Sequence, residues 1–357
     1  MNSLWRHCGW MLLGSSLILA LSLGVRHGFG LFLSPMSAEF GWGREVFAFA
    51  IALQNLVWGL IQPFTGAFAD RFGVRRTVLI GGLLYVAGLA LMACSDSPAS
   101  LALSAGLLIG LGLSGTSFSV LLGAVGQAAP VEKRSMAMGV AAAAGSFGQF
   151  VMLPGSLALI GALGWSGALL ALAALVALLP PLAALLRSPA QPVPAAGHAQ
   201  TLGEALREAA GHSGFWLLAL GFFVCGFQVV FIGVHLPAYL VDQHLPAQVG
   251  TTVLALVGLF NVFGTYTAGW LGSCYAKPKL LVALYLLRGV VIVAFLWAPP
   301  SEWSAYAFGM AMGFLWLSTV PLTNGTVATL FGVRNLSMLG GIVFLFHQLG
   351  SFLGGWL

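Results

Sequence analysis

Arg26 is the only formal charge in the apolar run from Met11 to Met36. Counted from Met11 it lies 15 residues in, about 22 Å along a helix. That depth is within a hydrocarbon core of about 30 Å. An arginine there costs roughly 2.5–3.5 kcal/mol unless it faces protein or water. A guanidinium presents a planar fork of donors that matches a carboxylate with two parallel hydrogen bonds. The chemistry open to Arg26 is therefore capture of an anion. The competing readings are a bond to carbonyls between helices, or snorkelling toward an interface.

Three histidines stand in apolar runs: His27 beside Arg26, His235 and His347. Histidine titrates unperturbed near neutrality, so each is a candidate proton carrier. The plainer reading of each is a neutral ring bonded to a backbone carbonyl. The nine acids are Glu39, Glu45, Asp70, Asp96, Glu132, Glu204, Glu208, Asp242 and Glu302, all in loops or at the ends of runs. No carboxylate is deeply placed, which disfavours a cation pump with a buried counter-charge. Asp242 is left as an outer-edge proton carrier. Gln228 stands 202 residues after Arg26 and is expected at a similar depth. With His235, Asn261 and Gln149 it completes the candidate anion site. Gln54, Asn55, Thr116, Asn324 and Gln348 read as further candidates or as interhelical glue. Arg288 is midway along a later run and is expected to be structural, bonding the carbonyl ends of neighbouring helices.

The elements that must hold these residues are membrane helices. The chain is 59% hydrophobic and 6% charged, with mean hydropathy +0.97. Soluble domains carry about 25% charged residues. Its 48 glycines suit helices that pack closely in lipid. Spans of about 20 residues are predicted at 11–36, 46–69, 77–95, 99–128, 136–161, 164–186, 214–240, 249–272, 279–298, 303–330 and 335–357. With the N-terminus in the cytoplasm, the inner side holds Arg6, Arg71, Arg75, Arg76, Lys133, Arg134, Arg187, Arg207, Lys277, Lys279 and Arg334, and the outer side only Arg44. That is a positive-inside pattern. The net charge of +5 is therefore read as topology, with no nucleic-acid partner. Cys8, Cys94, Cys225 and Cys274 show no paired spacing and read as packing residues. No phosphate loop, zinc-ligand spacing or nucleophile–base pair occurs, so no enzyme, metal or cofactor is expected.

The polar stretch from Arg187 to Ser213 divides the chain into 1–186, a linker 187–213, and 214–357. Thr201-x-x-Glu204 is a capping box for a short amphipathic helix through about Ala210. Its apolar face, Leu202, Ala205, Leu206 and Ala209, is expected on the cytoplasmic membrane surface. The two parts repeat. Pro35 and Pro237, Phe29 and Phe231, and Ser135-Met136 and Ser337-Met338 are each 202 apart; Gly66 and Gly269 are 203 apart. Both parts begin on the same side, so they are parallel repeats.

Between the second and third spans stands Gly66-Ala-Phe-Ala-Asp70-Arg71-Phe-Gly73-Val-Arg75-Arg76. It resembles the signature G-x-x-x-D-R-x-G-R-[RK] of the major facilitator superfamily, its last basic pair shifted by one. Arg26-His-Gly-Phe-Gly-Leu-Phe-Leu-Ser-Pro35, Phe40-Gly-Trp42 and Gly145-Ser-Phe-Gly148 resemble bacterial members of the monocarboxylate and oxalate/formate branch. The resemblance implies an all-α polytopic fold of two six-helix halves around a central cavity, with alternating access. Here it would have about eleven spans, the twelfth absent. Asp70 is expected to meet Arg334 and the positive end of the eleventh helix as a gate latch. Arg71, Arg75 and Arg76 complete the gating group. The matching second loop has Ser273 where the acid would be and Cys274 where the arginine would be, so a second latch is expected to be missing. The eighth span has no arginine, a departure from carboxylate transporters of the branch.

These readings predict a monomeric, multi-pass inner-membrane carrier of a small organic anion, driven by proton symport or exchange. The alternatives are an exporter of a larger amphipathic compound and a non-transporting membrane protein.

Overall fold

The structure, a computed structural model, describes residues 2–186 and 200–356. Arg187 and the prolines of the linker lie outside the described residues. Every regular element described is a helix. Among the described residues, ten helices are long and apolar enough to cross a membrane: Cys8–Phe40, Arg44–Phe72, Val74–Ala93, Pro98–Ala128, Val131–Leu185, Ser213–Asp242, Gln248–Cys274, Lys277–Trp297, Glu302–Phe331 and Leu336–Gly355.

The fifth of these has 55 residues, about 80 Å of helix and more than twice what a bilayer needs. Gly164 divides it, with φ +70° and ψ 172°, a backbone state that glycine enters without a Cβ clash. Just beyond, Trp165 donates to Glu39, and Ser166 Oγ donates to Ala93 O at 2.8 Å. Leu185 instead packs on Gly14, toward the other end of the first span. The segment therefore crosses twice, and the described residues make eleven crossings, numbered below in order.

Close backbone contact joins the helices. The first span lies along the fifth, and the seventh along the eleventh. The fifth crosses the eighth where Gly139 meets Gly269; a Cβ on either glycine would sit 2.5 Å from the other's Cα. At the crossing of the second and eleventh, a Cβ on Gly341 would sit 2.8 Å from Gln62 O. In lipid such packing, not the hydrophobic effect, holds helices together. The ninth span turns Val282, Leu286, Val290 and Val293 outward, a face suited to lipid.

The fourth and tenth spans are broken. The fourth contains a π-helical stretch, Ala102–Leu108, and interrupts at Thr116 and Ser117. The tenth stops at Leu315 and resumes at Thr319. Thr116 and Ser318 are 202 apart, the spacing of the sequence repeat. Released backbone groups in a bilayer need protein partners. In the fourth span Gln62 Nε2 donates to Ser114 O at 3.0 Å, and Trp58 Nε1 donates to Ser117 Oγ at 3.1 Å. In the tenth, Asn261 Oδ1 accepts Leu317 N at 3.0 Å. Arg288, fully buried, donates Nη2 to Leu315 O at 2.7 Å and also to Trp316 O. It is a plug for the carbonyl end of a broken helix.

The linker helix, Leu202–Gly211, starts on its capping box: Glu204 N donates to Thr201 Oγ1 at 3.2 Å, and Thr201 N donates to Glu204 Oε2 at 2.7 Å. Ala205 and Ala209 are buried in the core, whereas Leu206 is exposed.

Two outcomes follow from these contacts. Arg288→Met leaves two carbonyls unbonded at about 1–3 kcal/mol each; thermal melting in detergent will show a lower midpoint. The Thr201 amide holds the Glu204 carboxyl below its usual pKa. Its contribution is complete above the ordinary glutamate value, about 4.3, and is lost as pH falls through the depressed one. Amide protection factors at Leu202–Gly211, corrected for intrinsic exchange, will fall over that window, and Glu204→Ala will remove the dependence.

Candidate substrate site

The first, second and eleventh spans meet around Arg26. Arg26 Nη2 donates to Asn55 Oδ1 at 2.5 Å. Its Cζ lies 5.6 Å from the Trp58 ring, within reach of a cation–π contact. Its Nε is buried without a partner. No carboxylate among the described residues is bonded to it. Asn55 Nδ2 donates to Ile51 O at 3.0 Å, which orients the amide. Gln348 Nε2, from the eleventh span, donates to Asn55 O at 3.2 Å and Asn55 Oδ1 at 3.3 Å. Trp58 packs on Phe344 with centroids 4.9 Å apart, and Phe344 stacks on His347 at 5.5 Å. The guanidinium is thus held by neutral groups alone.

The histidines fall in different settings. His27 Nδ1 lies 2.6 Å from Leu23 O, the backbone-bonded arrangement. His235 keeps Nε2 buried and unpartnered, its ring 4.9 Å from Phe231. His347 Nδ1 is 3.3 Å from Gln348 Oε1 and 3.4 Å from Ser351 Oγ, which ties it to the Arg26 network.

The amides separate likewise. Gln149 Oε1 is buried without a partner. Gln228 Oε1 accepts from Arg288 Nη1 at 3.4 Å, so it joins the helix plug and not Arg26. Asn261 is engaged at both ends, donating to Ser146 Oγ at 3.0 Å and accepting from Leu317 N. Asn55 and Gln348 are among the further candidates read in the sequence, without their link to Arg26 or to each other, and Trp58 is not singled out there. One signal was available: Gln348 stands 202 residues after Ser146. Each of the two reaches from its span to an asparagine on the crossing helix.

At the basic end, Asp70 receives Met338 N at 2.8 Å, Ser337 N at 3.2 Å and Gln127 Nε2 at 3.0 Å. A carboxylate here caps the positive end of the eleventh helix. Arg334 precedes that helix, is exposed, and makes no bond with Asp70. The amides satisfy the carboxylate instead. Arg71 lies over the Phe72 ring at 5.2 Å, and Arg75 and Arg76 are exposed. The second crossing corrects an expectation. Ser273 Oγ accepts Met136 N at 3.1 Å, at the start of the fifth span. The repeat thus keeps a neutral cap where none was expected, because a hydroxyl can accept an amide hydrogen without charge.

Two apolar cavities line the bundle away from Arg26. One, about 310 Å³, lies between the second, third and fourth spans around Phe64, Ile80 and Leu111. The other, about 150 Å³, lies between the eighth, ninth and tenth around Thr267, Ala283 and Phe314. Each of these three residues is 203 after its counterpart.

Comparison with known proteins agrees with this architecture. The chain is 28% identical to mouse "Monocarboxylate transporter 11" over 97% of its own length and 79% of that protein's. It is 24% identical to "Uncharacterized MFS-type transporter YcxA" of Bacillus subtilis (strain 168), covering 96% of this chain and 85% of that one. Among solved structures, the transporter FucP in its outward conformation superposes with TM-score 0.74 at 16% identity, covering 97% and 89% of the two chains. The profile of the Major Facilitator Superfamily matches residues 12–355. This multi-pass membrane protein, a transporter and not an enzyme, belongs to the Major Facilitator Superfamily.

Proposed function

We propose that the protein carries a small organic anion, a carboxylate, by alternating access with proton symport or exchange. The observation that carries this reading is Arg26, a guanidinium at membrane depth bonded only to a neutral amide and a ring face. Its opposite charge is supplied by the cargo. Relatives named as monocarboxylate transporters, in mouse and in cattle, support the substrate class. Gln149 and His235, each with a buried unpartnered atom, are further polar contacts for the cargo. Gln228 and Asn261 line the path while fixing the walls. His347, linked through Gln348, is the favoured proton carrier, with His27 and His235 as the others.

In this reading the moving bodies are 1–186 and 214–357, joined by the linker 187–213. The protein works as a monomer in an inner membrane with its N-terminus in the cytoplasm, so the basic end faces inward. The contact of Asp70, at the end of the second span, with the start of the eleventh helix closes that end, with the exposed Arg71, Arg75, Arg76 and Arg334 completing the gating group.

Uptake of a labelled carboxylate panel into proteoliposomes, with and without an inward proton gradient, tests the proposal. Charged hydrogen bonds contribute about 1.5–3 kcal/mol each, so Arg26→Gln will lower uptake at limiting substrate about a hundred-fold. Undiminished uptake by Arg26→Gln would move the reading to an exporter with a structural arginine. For the gate, Asp70→Asn weakens a charge–dipole contact of about 0.3–1 kcal/mol. Spin labels at exposed positions 75 and 334 will then show more of the wide-open population; an unchanged distance distribution removes Asp70 from the gate.

A further inference from the structure

We infer that Asn55 occupies the place of the substrate's carboxylate in the empty carrier, and that the arriving carboxylate, by displacing it, loosens the second span from the eleventh. The inference rests on the reading of Arg26 as the anion-binding residue.

One edge of a guanidinium presents Nε–H and one Nη–H side by side, and a carboxylate fills both with its two oxygens. In Arg26 that edge is half filled. Nη2 donates to Asn55 Oδ1, while Nε is buried with no partner. Asn55 Oδ1 already accepts from Nη2 and from Gln348 Nε2, and Nε is left unserved. A carboxylate brings a second oxygen for Nε and a full charge, so it outcompetes Asn55 at this edge. Asn55 does not match the cargo; it holds the arginine in place until the cargo arrives.

The displaced oxygen has a second attachment. Gln348 Nε2 reaches the same Oδ1 at 3.3 Å and the Asn55 backbone oxygen at 3.2 Å. Asn55 is on the second span and Gln348 on the eleventh. Turning the Asn55 side chain away from Arg26 breaks the Oδ1 half of this link. These are the helices that Asp70 also joins at the basic end, through Ser337 and Met338. Substrate binding therefore acts on a crossing that must part for access to alternate. Gln348 and Asn55 are positioning residues here, since both act through Arg26 or through each other.

Formate, the smallest carboxylate, and formamide, its neutral counterpart, are the probes. Thermal melting of the full chain in detergent reads binding. Asn55→Gly empties the edge, and half-saturation by formate should fall about ten-fold below that of the unaltered protein. Formamide should not reproduce the shift, and Arg26→Gln should abolish it. Asn55→Asp supplies a tethered carboxylate of the same size and should remove the formate response; it decides the matter if Asn55→Gly fails to fold. Gln348→Leu should lower formate half-saturation, because the link it removes opposes displacement of Asn55, widen the label distance between the second and eleventh spans without formate, and cancel further widening with it. Equal formate responses in the unaltered protein, Asn55→Gly and Asn55→Asp would overturn the placeholder. So would the absence of a shift in every variant. Unchanged distances in Gln348→Leu would overturn the release step. If Arg26→Gln still blocks carboxylate uptake in those cases, the binding role of Arg26 stands and only this inference falls. A formate shift that persists in Arg26→Gln removes both.

Discussion

No water is available inside a bilayer to complete a broken helix, and that constraint sorts the buried polar residues of this chain. The fourth and tenth spans both interrupt at depth, so their loose amides and carbonyls must find side chains. Gln62, Asn261 and Arg288 are taken up by that demand. Once they are assigned, Arg26 stands apart. It carries the same charge as Arg288 and sits in the last turn before the first span changes to 3-10 geometry, yet its Nη2 goes to a side-chain amide and not to a helix carbonyl. Two arginines of one type are thereby given different work by their surroundings: one meets carbonyls in sequence order 315 and 316, the other a single amide and an aromatic face.

Much of the architecture was legible because it depends on local composition. Apolar runs, basic loops and the constant offset predict the crossings, and even the capping box of the linker helix forms as read. The hairpin at Gly164 was legible as a gap between two runs, although the helix continues almost unbroken through it. Arg288 was also readable, since a mid-span arginine on a peripheral helix has few partners other than carbonyls. The partnership of Asn55 with Gln348 was not. The two are 293 residues apart, and amides in spans look alike until their neighbours are known. Ser273 was misjudged for a related reason. Its charge was missing, and charge was the property being read; the geometry asks only for an acceptor at the end of a helix.

The repeat therefore conserves positions more faithfully than chemistry. Asp70 and Ser273 hold equivalent places, one ionic and one neutral, against the eleventh and the fifth helix. Ser146 and Gln348 likewise hold equivalent places with side chains of different reach. The broken spans are matched at Thr116 and Ser318, yet one is mended by uncharged groups and the other by a guanidinium. The frame is pseudo-symmetric and its fittings are unlike.

The meeting of Gly139 with Gly269 has a consequence of its own. Two glycine faces in contact have no rotamers to freeze when they come together and none to free when they separate. In the proposed alternation of access such a surface would act as a bearing, guiding the helices through closeness of backbone at no side-chain entropy cost in either position.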